Sequence, residues 1–184
     1  MTTKNWSKNI VAFHSLLIAT VTALYLTSED FMLAHEILGY FIALLLIYRI
    51  FYSFKTTNVH EKLSSWFHHP KELIYFFKNF FTHKEDERHN PASSLMMLVL
   101  ITLLLSHIIT GSFGFAYKEE EGLLSYVIEL DFSIGKILLD VHEILSNILL
   151  ICIAMHIMGS IVSSIISKQN LIKSIFTFTK KYEK

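Results

Sequence analysis

Five histidines stand inside apolar stretches of this 184-residue chain: His14, His35, His107, His142 and His156. Imidazole can bind a metal, bridge helices by hydrogen bonds or move a proton. An ionisable side chain in a membrane-spanning segment is costly and is by default a functional candidate. The other five of the ten histidines, His60, His68, His69, His83 and His89, share one charged, aromatic-rich connection and read as surface or interfacial residues. His68-His69 has no third ligand at a spacing that would make it a metal motif. What the five helix histidines can do depends on their depth, and so on the elements that carry them.

Those elements are long and apolar. Hydrophobic residues make up 52% of the chain, and its 16 basic and 16 acidic residues fall almost wholly between the apolar runs. That distribution indicates a membrane class. The sequence predicts an all-α membrane protein: a single transmembrane domain over residues 1–184, forming a four-helix bundle with spans at about 10–26, 31–54, 91–115 and 137–166. Each reaches or nears the ~20 residues that cross ~30 Å of hydrocarbon. Asn90 is a candidate cap for the third span and Pro91 suits its first position. Between the second and third spans, residues 63–81 carry aromatics among lysines and are a candidate interfacial helix. The lone Cys152 excludes an internal disulfide, and the absence of C-x-x-C-H excludes covalent haem attachment. No cleavable signal peptide is evident, and no basic run is laid out for nucleic acid.

Orientation orders the histidines. Lysine and arginine concentrate at the N-terminus (Lys4, Lys8), in the connection from Lys55 to Arg88, and in the tail from Lys168. The other two connections hold only Lys118 and Lys136, beside an acidic stretch from Glu119 to Asp131. The positive-inside rule therefore places both termini in the cytoplasm. His14 then lies in the inner half and His35 near the outer surface. His142 is outer, and His156, fourteen residues further along, is inner. Fourteen residues rise ~21 Å over roughly four turns, so both imidazoles of that span face nearly one way. The depths pair His35 with His142 and His14 with His156. The repeated His-Glu-Ile-Leu at residues 35–38 and 142–145 echoes this symmetry.

Two imidazoles at one depth can fill both axial positions of a haem iron, which suits electron transfer rather than oxygen binding. Zinc is disfavoured, since each depth has two ligands and no carboxylate or thiolate at zinc spacing. Glu36 and Glu143 follow histidines directly and point away from them. His107 is unpaired and is a candidate neighbour of a haem or quinone, or a replacement ligand. Arg49 is a candidate partner for a haem propionate, as a guanidinium forks onto carboxylate. Gly39, Gly111, Gly114 and Gly159 permit close approach of a macrocycle or a second helix.

With these residues the chain resembles the bacterial four-helix cytochrome b561 family, grouped with the b-type cytochrome subunits of nickel–iron hydrogenases. The resemblance covers nearly the whole chain. It rests on Phe13-His14, on His35 followed by Gly39 and Arg49, on His89-Asn90-Pro91, and on Thr110-Gly111. His142-Glu143 with His156 and Gly159, and Asn170-Leu171, complete it. It implies two non-covalent haems b on His14, His35, His142 and His156, in the bacterial inner membrane. Ser15 stands where the family commonly has Trp, and His107 where it often has another residue. The expected role is electron transfer between the quinone pool and an outer redox partner, such as a periplasmic cytochrome c. Three alternatives stand beside it: a membrane oxidoreductase acting on superoxide or quinone, a membrane anchor for a hydrogenase-like complex, and a non-redox structural or transporter-like membrane protein. Oligomeric state, including a homo-oligomer, is left open.

Overall fold

The computed structural model describes residues 4–5, 7–28, 30–58, 61–79, 91–119, 122–127, 131–167, 173 and 179–180. His60, His83, His89, Asn90, the acidic residues at 120, 121 and 129, and Asn170-Leu171 lie outside the described residues. Five α-helices carry the chain: α1 (Lys8–Thr27), α2 (Met32–Lys55), α3 (Pro70–Lys78), α4 (Pro91–Glu119) and α5 (Phe132–Ser167). A two-residue antiparallel pairing joins Lys4–Asn5 to Thr179–Lys180.

Four helices, all but α3, are long and apolar enough to cross a membrane. Apolar side chains such as Ile18, Leu44, Ile109, Ile144, Ile151 and Ile165 are exposed along them. A water-soluble protein would not leave so much contiguous apolar surface uncovered, whereas lipid solvates it. The protein is an all-α, multi-pass membrane protein.

The helices run further than hydropathy alone predicts, because polar residues finish them. α5 begins at Phe132 rather than about 137: the Asp131 carboxylate accepts from the Ser133 N–H (2.8 Å) and hydroxyl (2.7 Å), which caps the first turn. These bonds hold the Asp131 carboxyl below its usual range. The stretch expected to form one interfacial helix over residues 63–81 is broken. A 3₁₀ turn at Leu63–Trp66 is followed by extended residues and then by α3, with Pro70 at its start. The residue before a proline avoids the helical region, so His69 is extended and its ring nitrogen caps the Lys71 N–H.

Two compact units result. One contains Met1–Leu16, Tyr48–Val99 and Ile153–Lys184; the other contains Leu17–Ile47 and Leu100–Cys152. Each takes a portion of all four spans. In the second unit α4 and α5 approach closely: a Cβ on Gly135 would overlap the Lys118 backbone nitrogen, and one on Gly114 would lie 2.9 Å from Leu139.

Candidate functional site

The second unit brings His35 of α2 and His142 of α5 together, ring centroids 6.2 Å apart and planes at 78°. Their tautomers follow from their partners. A carbonyl only accepts, so His35 Nδ1 donates to the Leu24 carbonyl of α1 (2.9 Å), leaving Nε2 with its lone pair. Thr110 spends its hydroxyl proton on the Ser106 carbonyl (2.8 Å), so its oxygen accepts from His142 Nδ1 (3.2 Å), and Nε2 is again the open nitrogen. Gly111 completes the setting. A Cβ there would meet His142 Cε1 at 2.9 Å, so only glycine lets the ring lie against α4.

His107 stands beside this pair, its ring 4.9 Å from that of His142. Both its nitrogens are engaged. Nδ1 donates to the Leu103 carbonyl (2.8 Å), and Nε2 meets the Ser146 hydroxyl (3.1 Å), which also bonds the His142 carbonyl (2.9 Å). Glu36 points elsewhere. It accepts from the Leu123 N–H (2.9 Å) and the Tyr40 hydroxyl (3.2 Å), and so fixes the turn at Gly122.

The first unit brings together His14 of α1 and His156 of α5, ring centroids 6.5 Å apart and planes at 57°. Arg49 lies in the same unit, buried within α2 rather than at its end. Its guanidinium sits over the Trp66 ring, 4.6 Å from the centroid, and donates to Ser53 and to the Glu61 carbonyl. Among the described residues it makes no ion pair within 4 Å. Trp66 is 2% exposed, and among the described residues its Nε1–H is the one buried side-chain donor without a partner. Glu61 is 1% exposed. Its carboxylate accepts from the Ser7 N–H (3.0 Å), Tyr52 (2.8 Å), Thr56 (3.2 Å) and Asn58 (3.1 Å). Burial works to raise its carboxyl, but the bonds from Tyr52, Ser7 and Thr56 outweigh burial and hold it below the usual range.

The sequence profile of prokaryotic cytochrome b561 matches residues 5–178, nearly the whole chain. The chain belongs to the prokaryotic cytochrome b561 family. No curated protein and no solved structure matches it. Members of this family are b-type cytochromes of membrane electron transfer, which implies haem b. The residues present fit that group. Metal–imidazole bonds of ~2.0 Å, with roughly 1 Å from each nitrogen to its ring centre, place facing centroids ~6 Å apart. Both pairs meet this spacing. Half-buried Gly39, one turn after His35, has no atom within 4 Å of where a Cβ would stand, which is room a flat macrocycle can use. Among the described residues no cluster of three or more His, Cys, Asp or Glu could hold a metal ion.

Several residues around these histidines and Arg49 carried no signal in the sequence. The Leu24 carbonyl is backbone, and any residue would supply it. Glu61 lies in a charged connection, and Trp66 reads as one of the interfacial aromatics rather than as a buried ring. His68, read as a surface residue, is largely buried instead, with its side chain 9% exposed. Thr110 is the exception, since it lay within the Thr110-Gly111 motif of the resemblance. Of the glycines, Gly111 meets a histidine ring and Gly114 a second helix, whereas Gly39 and Gly159 meet nothing within 4 Å.

Proposed function

We propose that the chain holds two haems b, one between His14 and His156 and one between His35 and His142. It would carry electrons across the bacterial cytoplasmic membrane, between the quinone pool and a redox partner on the outer face. The observation that carries this reading is the pairing of four helix imidazoles at ring separations of 6.5 and 6.2 Å. When bound, each haem supplies a one-electron iron couple closed to further ligands by its two imidazoles.

The chain's own residues present, orient and tune. The Leu24 carbonyl and Thr110 fix the tautomers of His35 and His142, so that Nε2 keeps the lone pair that would bind the iron. His107 supports His142 from the side: its Nδ1 is spent on the Leu103 carbonyl, and its Nε2 lies against Ser146, which bonds the His142 carbonyl. Arg49 and the unpartnered Trp66 Nε1–H are buried donors in the unit of His14 and His156, and a propionate carboxylate of the haem there would match the guanidinium in charge. The surplus of lysine and arginine at the termini and in the connection before α4 supports cytoplasmic termini. Under that orientation the acidic connection between α4 and α5 faces outward. It would favour a basic cytochrome c or a docking subunit of a hydrogenase-like complex.

The test is electron transfer in sealed vesicles holding the full-length, haem-loaded protein. Decylubiquinol in the bilayer is expected to reduce the b haems and, through them, cytochrome c added on the side of the α4–α5 connection. Haems that reduce with dithionite but not with quinol would remove the quinone pool from this reading.

A further inference from the structure

The connection before α4 brings a chain of proton-bearing groups into the first unit. The His68 side chain is 9% exposed and that of Glu72, one turn on, is 53% exposed. His68 Nδ1 lies 2.9 Å from Glu72 Oε2, and its Nε2 lies 3.2 Å from Ser94 Oγ on α4. Ser94 is 1% exposed. An ionised carboxylate only accepts, so His68 donates from Nδ1, which in the neutral ring leaves Nε2 to accept the Ser94 hydroxyl. Hydrogen bonds of one polarity thus run from a buried hydroxyl, through an imidazole, to a carboxylate in water. A tether between connection and helix needs neither an ionisable middle member nor an exposed end.

We propose that Ser94, His68 and Glu72 form a proton relay between the interior of this unit and the aqueous phase, serving quinol oxidation. The proposal rests on the reading above that quinol is the electron donor. Oxidation of a quinol releases two electrons and two protons: QH2 becomes Q, the electrons pass to two one-electron iron couples, and each proton needs an exit. For each proton leaving the quinol, Ser94 takes one up from the interior of the unit as it gives its own to His68 Nε2. His68 passes its Nδ1 proton to Glu72, Glu72 releases it to water, and rotation of the ring, which exchanges its two nitrogens, restores the starting polarity for the next proton. Quinone reduction runs the same sequence backwards. Imidazole suits the middle position because it can accept at one nitrogen while donating at the other.

The experiment compares full-length, haem-loaded wild type with His68→Gln by stopped flow, using decylubiquinol and dithionite as reductants. Glutamine keeps a donor and an acceptor for Ser94 and Glu72 but cannot relay a proton. Haem reduction by decylubiquinol is expected to slow by about tenfold or more, within the span of general acid–base effects. Reduction by dithionite and the visible spectrum should match wild type. His68→Gly should regain quinol oxidation on addition of imidazole. Glu72→Gln, at the exposed end, should slow quinol oxidation with intact haem even if the His68 variants assemble poorly. Wild-type quinol rates in His68→Gln or in Glu72→Gln, or equal slowing with both reductants, would overturn the relay. A wild-type protein reduced by dithionite but inert to decylubiquinol would overturn the quinone reading, and the relay with it.

Discussion

An imidazole bonded through Nδ1 has only Nε2 left for a metal, and in the second unit both paired rings are bonded this way. Thr110→Val removes the acceptor for His142 while keeping the shape of the side chain. The variant should bind haem more weakly and raise the potential of that haem detectably in a redox titration, because an acceptor on Nδ1–H makes the ring a stronger donor to ferric iron; identical titrations would assign Thr110 no part in tuning. Gly111→Ala tests the close approach of the same ring, since its Cβ would stand 2.9 Å from His142 Cε1. Overpacking of this kind costs about 1–3 kcal/mol, enough to lower occupancy of one haem and leave the other spectrum intact. Trp66→Phe keeps the ring under Arg49 and deletes the orphan N–H; a shift confined to the His14–His156 haem is expected in its redox titration. The paired histidines were legible in the sequence because ionisable residues inside apolar runs are rare and helix rise converts spacing into depth. The groups around them were not. Leu24 acts through its backbone, and Glu61, Trp66 and His68 sit in a charged connection whose burial no local pattern records.

The spans themselves announce their helices through length and hydropathy, but their ends and crossings depend on single residues. Asp131 starts α5 five residues ahead of the expected point, and Pro70 divides what reads as one interfacial segment. Gly135 is the tightest crossing, with a Cβ position that overlaps the Lys118 nitrogen, where backbone cannot move aside as a side chain can. Gly135→Ala should lower the thermal midpoint of the loaded protein, by a cost at or above about 1–3 kcal/mol, whereas Gly159→Ala should be neutral. Glu61 gathers the start of α1, the end of α2 and the connection after it. Its carboxyl is held below the usual range, so its contribution is fully present above the unfolded carboxylate value and fades as pH falls through the lowered folded one. Acidification should therefore red-shift Trp66 emission as the connection loosens, and Glu61→Gln should show that loosened state already at neutral pH. A Glu61→Gln emission spectrum matching wild type at neutral pH would contradict this role.

At the scale of the whole molecule, hydropathy and charge placement suffice for a four-span membrane protein, and membership of the cytochrome b561 family gives the chemistry of the class. What three-dimensional contacts add is the division into two units, each drawing on all four spans and each holding one histidine pair. That division makes the sites separable. His35→Ala should remove one haem and leave the His14–His156 haem spectrally unchanged. The most direct measurement is haem stoichiometry of the purified chain, by pyridine haemochrome assay alongside a reduced-minus-oxidised visible spectrum. Two low-spin b haems per chain in the wild type, falling to one in His35→Ala, is the expected result. A colourless protein, or a single haem per wild-type chain, would contradict it.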